Sequence, residues 1–117
     1  MLNQTEINCL NACQACMVAC LQCAAACLKE DNNSAMMQCI LHDLECADIC
    51  QLAIAAMARG DMHIKDICIL CEKACTGCGA ECAKHTMDHC QHCAETCKQC
   101  VIACKSMVAS MNESTAH

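Results

Sequence analysis

The chain has no Trp, Tyr or Phe, no Pro, and only three Gly among its 117 residues. Without aromatics, and with few β-branched residues, it lacks the side chains that pack on a pleated sheet. Without proline, and with Ala, Leu, Met and Gln abundant, nothing in its long segments breaks a helix. Basic charge is scarce too: 7 Lys and Arg stand against 13 Asp and Glu, a formal net charge of −6. That balance disfavours nucleic acid and anionic membrane surfaces as partners. No window reads as the run of about 18 apolar residues that a membrane span needs. The stretch from Met1 to Glu6 has neither a basic region nor an apolar run, so it does not read as a signal peptide. The expectation is a single domain, residues 1–117, in a reducing, cytosolic compartment.

What fills the chain instead is cysteine, nineteen in all, most of it on a helical clock. Cys9, Cys13, Cys16, Cys20, Cys23 and Cys27 follow one another at intervals of four and three. Cys68, Cys71, Cys75, Cys78 and Cys82 repeat the rhythm, as do Cys90, Cys93, Cys97, Cys100 and Cys104. Residues three or four apart return to one helix face, so each block draws a line of sulfur where a bundle would place Leu. A fourth stripe is poorer, with Cys39, Cys46 and Cys50 joined by Met36, Asp43, Ala53 and Met57.

The spacing predicts helices over about 4–28, 34–59, 61–84 and 87–109, with 110–117 as a frayed tail. Asn3 and Glu6 suit a capping box, Gly60 and Asp61 a stop followed by a start, and Thr86 a cap for the last helix. The short connections imply an all-α fold, an antiparallel up-down-up-down four-helix bundle with a cysteine-lined core. A second apolar stripe flanks the sulfurs: Leu10, Met17, Leu21 and Leu28, then Ile40, Leu44, Ala47 and Ile54, then Val101 and Val108. Some of it must close the seams between helices. A thiol core buries less hydrocarbon than a Leu core, which favours an oligomer that covers the rest.

Disulfides are disfavoured, because nineteen is odd and neighbours along a stripe lie too far apart. Thiolates are soft ligands for Cu(I), Zn(II) and iron–sulfur clusters. One structural zinc uses four ligands and leaves a net −2 on a tetrathiolate, so a row of them inside a bundle would be costly. Cu(I) with bridging thiolates makes a neutral array, and a continuous stripe offers overlapping sites for many ions, on the order of the cysteine count. The chemistry therefore favours Cu(I) storage over catalysis. An iron–sulfur or thiol redox protein, and a metallothionein-like Zn or Cd sink, remain the alternatives.

The cysteine pattern, together with Cys46-Ala47-Asp48-Ile49-Cys50, Lys84-His85 and Asp88-His89-Cys90, closely resembles the bacterial copper storage proteins of the cytosolic branch. The resemblance runs from about Thr5 to Met107 and involves the spacing in all the predicted helices. It implies a homotetramer of bundles, each holding many Cu(I) ions on the cysteines matched above, with a copper chaperone as a candidate partner. Antiparallel helices would gather His85, His89, Met36, Met87 and Asp43 at or near one end, as candidate entry or auxiliary ligands. His92 reads as a surface residue. The opposite end collects Met57, Met62, Met107 and Met111, better read as a hydrophobic plug than as a gate.

Overall fold

Asn3 sets the first helix. Its side chain accepts from the Glu6 amide and the Glu6 carboxylate accepts from the Asn3 amide, both at 2.9 Å, a closed capping box. In the computed structural model, which describes residues 1–115, α1 then runs Gln4–Leu28. A 3-10 turn over Asn33–Met36 leads into α2, Met37–Arg59, so the α-helix starts three residues later than position 34. Gly60 ends α2 in the left-handed conformation, φ 65° and ψ 45°. An L side chain there is strained by about 1 kcal/mol, so Gly60→Ala should lower stability by that amount in a thermal or urea melt.

Helix α3, Ile64–Ala83, begins later than the predicted 61 because the Asp61 side chain is otherwise engaged. It accepts from the His63 amide at 2.8 Å in an Asx-type turn and pairs with Arg59 at 3.0 Å. Helix α4, Asp88–Thr115, starts under the Met87 carbonyl, which accepts from the Cys90 and Gln91 amides; Met87, not Thr86, holds the capping position. The predicted stop at 109 is also wrong. The stripe continues past Cys104 through buried Met107 and half-buried Met111, and the helix continues with it. Ala116 and His117, the end of the predicted tail, lie outside the described residues.

The four helices pack as a square around one axis. Each contacts its two neighbours along the backbone, α1 with α2 and α4, and α3 with α2 and α4, in a rod of 54 × 21 × 19 Å. Across the diagonals the helices meet through side chains, as where Cys13 of α1 touches Cys71 of α3. Leu10, Met17, Ile40, Ala47, Ile54, Val101 and Val108 pack against the core and close the seams. Leu21, Leu28 and Leu44 of the same stripe stay exposed, as do Val18, Leu41 and Leu52 beside them. One expectation is corrected here: α1 does have the length and mean hydropathy, 1.5, of a membrane span. Its cysteines, however, are buried against the other helices, as in the core helix of a bundle.

Candidate metal centre

Every cysteine points inward. Eighteen are 0% exposed and Cys75 is 1% exposed, and all nineteen are free thiols. Their sulfurs form a chain from one end of the rod to the other. It starts at Cys9 and Cys104, 4.0 Å apart, and passes to Cys13, 3.8 Å from Cys100. At the middle Cys16 meets Cys97 at 3.7 Å, Cys46 and Cys75 at 3.8 Å, and Cys20 at 3.9 Å. Cys46 and Cys75 are 3.5 Å apart, and so are Cys39 and Cys82 further along. The chain ends at Cys23, Cys27 and Cys90, with contacts of 3.8–3.9 Å. These are van der Waals spacings, so thiols on one helix and on facing helices can share a metal ion. Foursomes whose sulfurs all lie within 4.8 Å of one another recur down the tube, among them Cys13, Cys71, Cys100, Cys104 and Cys16, Cys46, Cys50, Cys75.

One of the two glycines inside α3 makes this close approach fit. A Cβ on Gly79 would stand 3.2 Å from the Cβ of Cys97, so its absence lets α4 lie tight against α3. A Cβ on Gly77 would only rest in ordinary contact with the His42 ring, at 3.4 Å.

Asp43 takes the cysteine register position of α2 and is 0% exposed. It does not face water at the tube's mouth. Its Oδ1 accepts from the thiols of Cys78, Cys93 and Cys82 at 3.2, 3.3 and 3.4 Å, and Cys39 lies 3.8 Å from Oδ2. Burial pushes its carboxyl up from the ordinary range to about 7. Burial also pushes up the thiols of Cys39 and Cys90, the latter to about 12 with help from its hydrogen bond to Cys27.

The predicted entry residues divide. His89 Nε2 stands 3.5 Å from Cys27 Sγ, at the end of the sulfur chain. His85 instead pairs with Glu81 at 2.9 Å, and that carboxylate is held below its usual range first by this hydrogen bond. Met36 is buried in the core, Met87 packs partly buried against it, and His92 is exposed. Glu30, 3.8 Å from His89, belongs to the same end and was missed, because the contact joins distant parts of the chain. Glu81 was also missed, although its spacing of four from His85 was a visible signal. At the far end Met57 and Met107 are buried beside Ile64, whereas Met62 is exposed.

A helical bundle whose interior is a continuous file of free, buried thiols defines a reservoir for soft metal ions rather than a single-metal centre. Residues 2–109 match the family model of the copper storage proteins, and the chain belongs to that family. It is 48% identical over 80 residues, 68% of this chain and 74% of the relative, to an uncharacterised cysteine-rich protein, YhjQ, of Bacillus subtilis. Its fold is similar to that of the Cu(I)-bound copper storage protein BsCsp3, with 46% identity, a TM-score of 0.87, and coverage of 90% of this chain and 99% of that one. It is also similar to a cytosolic copper storage protein from Streptomyces lividans carrying five coppers, with 34% identity, a TM-score of 0.88, and coverage of 91% and 93%.

Proposed function

We propose that the protein stores Cu(I), many ions per chain, on the thiolates of its nineteen cysteines. The observation that carries this is the file of sulfurs along the tube, most of them 3.5–4.0 Å from a neighbour, since bridging thiolates need sulfurs within reach of a shared ion. Burial of every cysteine argues for storage rather than catalysis, because no substrate could reach a metal held there. The storage unit is one four-helix domain, residues 1–117. Free thiols and the likeness to the Streptomyces lividans protein, which is described as cytosolic, support a cytosolic location. Self-association is supported by the exposed Val18, Leu21, Leu28, Leu41, Leu44 and Leu52 on α1 and α2, which a second copy would cover, and the homotetramer is the form that the family resemblance implies.

Cu(I) enters at the His89 end. There the His89 imidazole stands against the Cys27 thiol, while the other end is closed by Met57, Ile64 and Met107. His89 hands the ion to Cys27, and His85, Met36 and Met87 serve as weaker auxiliary ligands around it. Asp43, a harder oxygen donor among four thiols, is an auxiliary group further in. His89→Ala should slow loading several-fold and leave the capacity nearly unchanged. Equal rates in stopped-flow mixing with a Cu(I) donor would refute this route.

The test of storage itself is an anaerobic titration of the reduced protein with Cu(I) against a chromophoric Cu(I) chelator. Tight uptake of about one copper per cysteine is expected for a neutral array. Saturation after a few equivalents would reduce the tube to a small metal site.

A further inference from the structure

The foursome Cys23, Cys27, Cys39 and Cys90 comes from α1, α2 and α4, and its sulfurs lie within 4.8 Å of one another. Four of its six edges are 3.8 or 3.9 Å. A tetrahedral zinc with Zn–S bonds of about 2.3 Å calls for S···S edges of about 3.8 Å. Foursomes deeper in the tube have similar edges, so spacing alone does not distinguish this one. Charge and access do. A zinc tetrathiolate carries a net −2, which is costly in a sealed interior. The deeper set Cys20, Cys78, Cys93, Cys97 also lies against the Asp43 carboxylate, 3.2 Å from Cys78 and 3.3 Å from Cys93. In the outer set Cys39 lies 3.8 Å from that carboxylate, and Cys23 also interacts with it. Beside the outer set stands His89, with Nε2 3.5 Å from Cys27 Sγ and 3.8 Å from Glu30. Both the His89 and the Glu30 side chains reach water, at 24% and 39% exposure. The His89 Nε2–H would donate to the Cys27 thiolate, orienting it and drawing off part of its negative charge.

The geometry points to a second cargo: the copper-free protein binds one zinc-class divalent ion at Cys23, Cys27, Cys39 and Cys90, as a stopper at the mouth of the tube. Four thiol protons leave for solvent as the ion enters, and no electron is transferred. This site does not depend on copper storage. Only its release does, since arriving Cu(I) competes for the same thiolates and frees the divalent ion. The stopper would hold the mouth helices together while the tube is empty.

The test uses the full, reduced, copper-free chain. It is titrated with Zn(II) against a chromophoric zinc chelator, and separately with Co(II) as a visible probe. One tight equivalent is expected, with the intense visible bands of tetrahedral sulfur-bound Co(II). Cys90→Ala and Cys27→Ala should each lose the site, and Cys104→Ala at the opposite end should keep it. His89→Gln should weaken it by about 10- to 100-fold, the usual effect of removing a partner that orients a metal ligand. Far-UV helicity is recorded for each variant, and if one cysteine variant is unfolded the other cysteine variant and His89→Gln decide. No tight equivalent, several equal ones, or a site retained in Cys90→Ala or Cys27→Ala would overturn the proposal. So would an octahedral Co(II) spectrum. A failed zinc titration beside a full copper titration would remove the stopper and leave storage standing.

Discussion

Filling the tube with Cu(I) should release about one proton per copper, close to nineteen from a fully loaded chain. The reason is electrostatic. Nineteen thiolates crowded into one apolar core without metal would repel one another and lack solvation, so the empty core holds thiols. Burial pushes Cys39 up, and Cys90 up to about 12, far above neutral pH. Each incoming Cu(I) brings the single positive charge that lets one thiol lose its proton without leaving net charge behind. Where an early copper is held by two thiolates it releases two protons, and later coppers that bridge existing thiolates release fewer, so the one-to-one ratio belongs to the total. Loading is thus favoured as pH rises, with apparent affinity gaining about tenfold per pH unit for each proton released. A pH-stat titration in weak buffer measures the total directly. A total well below one proton per copper would mean that neutral Met and His ligands hold much of the metal, and the thiolate array would have to be abandoned.

The lining of the tube is legible in the sequence because helical register is local. Cys9 and Cys13 share a face whatever the rest of the chain does. The same register continues through Met107 and Met111 after Cys104, past the predicted 109, and the polar composition there does not end the helix. What could not be read is what depends on several helices meeting. The register puts Asp43 on the inner face, but three thiols on α3 and α4 decide that it is sealed in rather than wetted at the mouth. The meeting of His89 with Glu30 depends on how the end of α1 leaves the bundle, and spacing carries no record of that. The flanking stripe splits for the same reason. Leu10 and Ile40 fall on seams while Leu28 and Leu44 fall on open faces, and the crossing of the helices decides which.

Replacing that sealed carboxyl should stabilise the copper-free protein, by an amount that grows with pH. In the folded chain Asp43 loses its proton only near pH 7, whereas an unfolded aspartate loses it near 3.8. Below about pH 4 both states are protonated and the residue costs nothing on this account. Between 4 and 7 the unfolded chain gains a hydrated charge that the folded one resists, so stability falls by about 1.4 kcal/mol per pH unit. Above 7 the loss levels off at about 4 kcal/mol. Asp43→Asn keeps the shape and an oxygen acceptor for Cys78, Cys82 and Cys93, but cannot ionise. Its amide nitrogen replaces Oδ2 beside Cys39, where it can donate to sulfur. The variant's own packing adds a constant offset. The informative quantity is therefore the stability of Asp43→Asn minus that of the native chain, which should rise by about 4 kcal/mol between pH 4 and 8. Urea melts of both reduced proteins across that range supply it. Parallel curves would mean that four thiol donors solvate the carboxylate well enough to leave it ionised inside the bundle. A rise of that size would show that the chain is less stable for having this carboxyl, the result expected if Asp43 serves the auxiliary role proposed above rather than the fold.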